Sequence, residues 1–279
     1  MQDGTQAERA ASERVTQPRK KPLLGLALLA LAGAAAFGFY QHEHHAPPDA
    51  ASPAASAGAQ TPAHLADFRG ETPSPEAKLM ANWVVGTGDS HQHAFVLVDK
   101  KDARVYVFTP QGRLEDSAPA LLGQAHGDDL VPGTADKSLA EMKPDEKITP
   151  AGRFVAEPGV NAEKEDVIWV NYDAAISMHR VRPMVARERR LERLATLSTD
   201  DNRISFGCIN LPVSFYENVA KPTVAKYGAI IYVVPEVKTV QQVFGAYDVT
   251  DPAQIAAAHQ AGNVATANKD EGRRATAQG

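Results

Sequence analysis

From Leu23 to Tyr40 the chain reads LLGLALLALAGAAAFGFY, 18 residues without a charge, and this run divides everything else into two sides. A bilayer core of ~30 Å takes about 20 apolar residues of helix, with a workable range of ~17–25. Arg19, Lys20 and Lys21 stand directly before it, and Gln41-His42-Glu43 follow. The positive-inside rule then predicts a cytoplasmic tail over 1–21, a transmembrane signal-anchor over 22–40, and export of everything beyond. The expected location is therefore an inner membrane, with the folded part periplasmic or extracytoplasmic. A cleaved signal peptide is the rival, since Ala32 to Ala36 offer small residues for processing, but its apolar region would be long. A buried core helix fits worse, because nothing polar interrupts the run.

The flanks narrow the folded part further. Between Gln41 and Ala77, 10 of 37 residues are Ala and 6 are Pro, with Phe68 the only aromatic. Such a stretch buries too little apolar surface to offset its ordering entropy, so 41–77 reads as a flexible linker. A linker of that length reaches ~30–36 Å from the membrane. His42, His44 and His45 within it read as solvated side chains rather than a metal site. The segment 238–279 reads as a C-terminal tail, largely disordered, with a helix around Ile255–His259 as an option.

What remains is one domain, 78–237, large enough for a self-sufficient core. Its apolar runs have strand character. Ala94–Asp99 and Arg104–Phe108 flank the short charged turn Lys100-Lys101-Asp102-Ala103, the spacing of a hairpin. Val167–Tyr172 and Ala174–His179 follow, and Ala229–Val234 closes the domain before Pro235. Helix signals are two: Val185–Leu197, and a stretch from Pro212 toward Tyr227. The balance predicts a mostly β domain with a few flanking helices. A net charge of −5 gives no footprint for nucleic acid. One cysteine excludes an intrachain disulfide and a Cys-rich zinc site.

That cysteine, Cys208, sits in Ile204-Ser205-Phe206-Gly207-Cys208-Ile209-Asn210-Leu211-Pro212. An inert buried thiol and a reactive one are both open on composition alone. Gly207 permits a positive φ or a close backbone approach beside it. Asn210 followed by Pro212 reads as a helix start, which would place the sulfur near a helix N-terminus that favours thiolate. A nucleophilic thiol needs a base, with His91, His93, His126 and His179 available. In Ala174–His179, alternation puts Ile176 and Met178 on one face and Ser177 with His179 on the other. His179 is thus either a site residue at a strand end or a surface histidine. His126, in a polar loop, either binds substrate or has no role.

Ser205-Phe206-Gly207-Cys208-Ile209-Asn210 resembles the S-x-G-C-x-[RN] signature of the L,D-transpeptidase (YkuD-like) catalytic domain family. Ile148-Thr149-Pro150-Ala151-Gly152 looks like that family's T-P-x-G segment, Phe95–Phe108 like its opening hairpin, and Ala175–His179 like the strand carrying its histidine. The resemblance spans roughly Ala94 to Pro235, in the family's order. It implies a β-sandwich-like fold and cysteine acyl transfer on peptidoglycan stem peptides, with release of D-Ala to an amine acceptor. By the same resemblance Cys208 is the nucleophile, His179 the general base and acid, and the backbone carbonyl of Arg180 orients the imidazole. The N–H groups of Gly207 and Cys208 would form the oxyanion hole, and Ser205, Arg203 and Asn210 become candidates for substrate binding, with Ser205 also expected to brace the loop and Asn210 alternatively to cap a helix. Neither cofactor nor metal is implied.

Three departures from the pattern stand out. Phe206 occupies the place where the signature usually has histidine, and Arg180 follows His179 where glycine is common. His179 and Cys208 are 29 positions apart, longer than the common form, and residues 180–193 hold six arginines against Glu188 and Glu192. The arginine-rich segment reads either as a lid attracting carboxylates or as a solvated helix with i,i+4 pairs. The alternatives for the whole chain are a catalytically inactive peptidoglycan-binding module on the same fold, an L,D-carboxypeptidase that uses water as acceptor, or an unrelated cysteine hydrolase.

Overall fold

The computed structural model describes residues 64–262, so the expected cytoplasmic tail, the anchor at 22–40 and most of the linker lie outside the described residues. Among the described residues no helix is long and apolar enough to cross a membrane.

A helix not expected from the sequence comes first. Helix α1 spans Pro75–Thr87, beginning within the stretch read as linker and running on into the expected domain. The signal was present in Ser74-Pro75-Glu76: a capping serine, a proline in the first turn and an acid beside it. Ser74 Oγ accepts from the Ala77 N–H at 3.0 Å and donates to Asp99 Oδ2 at 2.6 Å. Asp99 in turn accepts from the N–H groups of Lys101 and Asp102, at 3.0 and 3.2 Å. One carboxylate therefore ties the helix start to the hairpin turn. Phe68 is also buried, against Tyr106 and Phe108, so the ordered domain begins before residue 78.

Strands β1 (Ala94–Asp99) and β2 (Arg104–Phe108) form the expected hairpin, and β3 (Leu114–Pro119) continues it. Short β4 (Leu122–Gly123) is followed by β5 (Gly152–Val155), β6 (Glu157–Val160), β7 (Asp166–Asn171) and β8 (Ile176–Arg180). Then come helix α2 (Arg190–Ala195), β9 (Arg203–Ser205) and β10 (Ile209–Leu211). Helices α3 (Val213–Phe215) and α4 (Lys221–Tyr227) flank a π-helical turn at Tyr216–Ala220, and β11 (Ala229–Val234) is the last strand. The last named helix, α5, covers Val240–Phe244.

Two sheets result, in the orders β3-β2-β1-β11-β5 and β10-β8-β7-β6, with β4 and β9 pairing separately. One core lies on Val96, Val98, Val105, Val107, Ile231 and Val233 of the first sheet and Ile168, Val170, Ile176, Met178 and Ile209 of the second. The opposite face of the first sheet, through Phe95, Leu97, Tyr106 and Tyr232, packs on Met80, Ala81 and Val84 of α1. Covered on both faces, β1 and β11 pair in parallel and every residue in them is buried, which is why each reads as an unbroken apolar run.

Strands β5 and β6 lacked such a signature because they are edges, β5 exposed at alternate residues and β6 at all but Gly159, and Pro158 is tolerated there. The expected helix 185–197 is broken at Arg189, where φ is 50°, leaving only α2 and a 3-10 turn over Ala186–Glu188. The expected tail from 238 carries α5 and a further helical run over 252–262, and Val249 is buried against Gly86.

Candidate active site

The site is built by strand register. β10 lies parallel to β8, pairing Ile209 with Met178, Asn210 with His179 and Leu211 with Arg180. Ile209, Leu211, Ile176 and Met178 point into the core. Alternation then sends Cys208, Asn210, Ser177 and His179 to the outer face together. A register shift of one residue would put the histidine and the sulfur on opposite faces.

His179 Nδ1 lies 2.7 Å from the backbone carbonyl oxygen of Arg180. A carbonyl oxygen only accepts, so Nδ1 carries the hydrogen and Nε2 is the free basic nitrogen of the neutral ring. Burial disfavours charge on both Cys208 and His179, yet each also feels the other as hydrogen-bond partner and as charge. The result is a thiol held below its ordinary value and an imidazole held above its own. Ser177 adds to this, with its Oγ 3.7 Å from Cys208 Sγ and both its hydroxyl and its backbone N–H favouring the thiolate. The Ala175 carbonyl oxygen lies 3.7 Å from the sulfur as an acceptor for the thiol. Cys208 itself remains partly exposed. The arrangement supplies a sulfur biased toward thiolate with a proton carrier beside it. Ser177 is the residue that strand alternation placed on the right face without giving it a role.

The Cys208 loop is pinned from below. Thr149, 1% exposed, accepts from the Gly123 N–H at 2.9 Å and donates to the Gly207 carbonyl at 2.8 Å. Ser205 Oγ donates to the Cys208 carbonyl at 2.6 Å and accepts from the Gly207 N–H at 3.1 Å. The Gly207 N–H is thus turned into the loop and not toward an incoming oxyanion, which corrects the expectation that it would be a donor. Among the described residues the Cys208 N–H has no such partner.

Gly207 has φ +124°, and a Cβ there would sit 2.7 Å from both the Ile148 carbonyl oxygen and Ile176 Cδ1. Gly207→Ala is expected to destabilise by ~1–3 kcal/mol and to displace the sulfur. Gly133→Ala, also at positive φ but with nothing within 4 Å, is the control. Thermal unfolding of both compares them; equal losses would remove close packing as the reason for glycine at 207.

Several expected roles change once partners are visible. Ser205, 2% exposed, braces the loop as expected and is not placed to meet substrate. Arg203 donates to Glu236 Oε2 and to the Lys100 carbonyl oxygen, both at 2.6 Å, and belongs to a buried ion cluster. In that cluster Lys100, fully buried, donates to Asp128 Oδ1 at 2.7 Å, the Gly127 carbonyl at 2.5 Å and the Thr149 carbonyl at 3.1 Å. His126 Nδ1 is 2.8 Å from Glu236 Oε2, at the rim of the same cluster. Asn210 is 1% exposed and sits on β10, so it does not cap a helix; α3 begins after Pro212, with strand between it and the sulfur. The thiol's shift therefore comes from His179 and Ser177 and not from a helix N-terminus.

The Arg180 side chain pairs with Asp166 at 2.7 Å and with Glu217, and stacks on Tyr216. Those contacts fix the backbone whose carbonyl holds His179. His93 Nδ1 bonds the Ser90 carbonyl at 3.0 Å, and His91 forms part of a turn at φ 50°. Phe206 lies under the Lys147 ammonium, 4.1 Å from ring centroid to Nζ. No group of three or more His, Cys, Asp or Glu among the described residues could hold a metal ion.

No protein-family model matches the chain, and no curated protein matches it. Solved structures similar to it include the catalytic domain of an Enterococcus faecium L,D-transpeptidase, 16% identical over 51% of this chain and 97% of that one, TM-score 0.30. An L,D-transpeptidase from Mycobacterium smegmatis is 17% identical over 50% of this chain and 58% of that one, TM-score 0.28. The helical cell shape determining protein Pgp2 from Campylobacter jejuni is 18% identical over 60% of this chain and 58% of that one, TM-score 0.34. The likeness is distant.

Proposed function

We propose that the chain is a cysteine-dependent L,D-transpeptidase acting on peptidoglycan stems from the outer side of the membrane, anchored through 22–40. The supporting observation is the Cys208–His179 pair, with Nδ1 fixed by the Arg180 carbonyl and each group biasing the other toward its charged form.

In this reading the Cys208 thiolate attacks the carbonyl carbon of the third residue of a tetrapeptide stem. The carbonyl becomes a tetrahedral oxyanion facing the Cys208 N–H. Collapse breaks the amide C–N bond, His179 gives its Nε2 proton to the departing amine, and D-Ala leaves. A thioester remains. An amine from a second stem or an attached protein then attacks it, transferring its proton back to His179, and the thiolate is regenerated. Water in place of the amine gives the carboxypeptidase outcome. The energy of the existing D-Ala amide is carried in the thioester, so no nucleotide is consumed.

Incubating the full chain in mild detergent with disaccharide-tetrapeptide tests the assignment by mass spectrometry. Loss of D-Ala is expected, with cross-linked product when an amine acceptor is supplied. Cys208→Ala should abolish the loss. Release of D-Ala by that variant at the parent rate would refute the reading.

A further inference from the structure

Among the arginines of residues 180–193, Arg190 reaches the site. Its Nε donates to Glu188 Oε2 at 2.5 Å and its Nη1 donates to Asn210 Oδ1 at 2.6 Å. The side chain is 12% exposed. The Asn210 Nδ2 edge faces the other way, 3.3 Å from the Cys208 carbonyl oxygen and 3.5 Å from His179 Nε2.

A guanidinium has donors and no acceptor, so the Asn210 atom it meets must be the oxygen. The NH2 group is thereby committed to the histidine side. An NH2 group can donate to the lone pair of a neutral Nε2, but it cannot accept the hydrogen of an imidazolium. The groups around His179 are the Arg180 carbonyl and Arg182 from its own strand and its extension, Cys208 and Asn210 from the β10 side, and Arg190 with Glu188 from the insertion. While the amide keeps this orientation it cannot accept from Nε2–H, which leaves that hydrogen to the Cys208 sulfur, the neighbour that favours the imidazolium. Were the amide to rotate by half a turn, its oxygen would take that hydrogen and hold it away from both sulfur and leaving group.

We propose that Arg190, braced by Glu188, is a positioning residue that locks the Asn210 amide with its NH2 edge toward His179, so that the imidazole's mobile proton is shared with Cys208 alone. This rests on the Cys208–His179 reading and gives the insertion between them a defined role, the delivery of one guanidinium to the back of the site.

The test is a pH titration of His179 by NMR in the full chain labelled at histidine Cε1, with the signal assigned by its loss in His179→Gln. Arg190→Met removes the donors and keeps most of the stem. It should raise the His179 midpoint by about half a pH unit or more, because the released amide can now accept from the imidazolium. It should also slow D-Ala release several-fold. Arg190→Lys, which restores a donor to Oδ1, should return both toward the parent.

The deciding comparison repeats Arg190→Met in an Asn210→Ala background. If Arg190 acts through the amide, the midpoint there should not move further. An equal rise in both backgrounds would make Arg190 a through-space charge and overturn the proposal, as would no rise in either. Arg190→Ala, read in the same way, covers a failure of the methionine variant to fold. Failure of the parent reading looks different, since Cys208 alkylation would then be indifferent to His179.

Discussion

A His179→Ala chain is expected to lose D-Ala release by about 10²–10⁴-fold, the usual worth of a positioned proton-transfer group. The same substitution should change the sulfur itself. In the parent, hydrogen bonding and charge from His179 overcome burial and hold the Cys208 thiol below its ordinary value of 9.0. Iodoacetamide alkylation, which follows the thiolate, should therefore rise at a lower pH than for a free thiol. Without the imidazole the desolvation penalty stays and the largest opposing contribution goes, so the midpoint must move up. At neutral pH the alkylation rate should fall with it. A profile identical in the parent and His179→Ala would show that the two side chains do not communicate. The mechanism would then fail with the fold left intact.

The largest expected loss of stability is at Lys100. Its ammonium is fully buried, salt-bridged to Asp128 at 2.7 Å and 3.5 Å from Glu236. Lys100→Met keeps the stem but leaves Asp128 and Glu236 with less positive charge around them, and breaking a buried pair from one side costs ~3–5 kcal/mol. For a domain of this size that corresponds to a Tm lowered by roughly 6–20 °C. A loss below ~1 kcal/mol in urea unfolding would sink the idea that this cluster supports the site loop.

The acid side of the stability curve should report the same cluster. Burial raises the Asp128 and Glu236 carboxyls, but Lys100 and the Lys238 and Glu236 N–H groups outweigh it for Asp128, and the Gly127 N–H, His126, Arg203 and Lys100 do so for Glu236, leaving both lowered. Stability from a depressed carboxyl is present above its ordinary value, here 3.8 and 4.5, and is lost as pH falls through the lower folded value. Lys100→Met should therefore flatten the acid limb below about pH 4.5 as well as lower the plateau.

The cluster matters to the chemistry through Thr149. Its carbonyl accepts from Lys100 while its hydroxyl bonds the Gly207 carbonyl, one residue from the sulfur. Arg203 was legible as a cation near the signature, but a sequence does not say which carboxylate meets it. Glu236 lies 33 positions further on, just beyond the last strand. Ser205 and Asn210 were legible as members of a motif for the same reason, and their burial was not. Polar residues in a short motif look alike whether they face substrate or brace a turn.

Where the signal is local, sequence and structure agree closely. The hairpin strands Ala94–Asp99 and Arg104–Phe108 and the closing strand Ala229–Val234 occur with the boundaries read from their apolar runs. β-branched and aromatic runs bounded by turn residues have few other ways to fold. Helix α1 was missed although its cap was readable, because the surrounding Ala and Pro content masked a helix that only the first sheet's outer face stabilises. Edge strands β5 and β6 and polar β3 were missed because their partners, not their composition, make them strands.

Residue chemistry and strand alternation singled out one thiol and one histidine opposite an apolar strand face and left the role of each open; it was the resemblance that implied a nucleophile and its base. Their meeting came from neither. It depends on β10 lying parallel to β8 in a single register, which local propensity does not encode because pairing partners 31 positions apart are chosen by what both strands bury beneath them. The same packing turned the Gly207 N–H inward, gave the thiol Ser177 as a neighbour, and brought Arg190 to Asn210. Side-chain type is written in the chain residue by residue; which groups share a hydrogen bond is settled by close packing across distant segments.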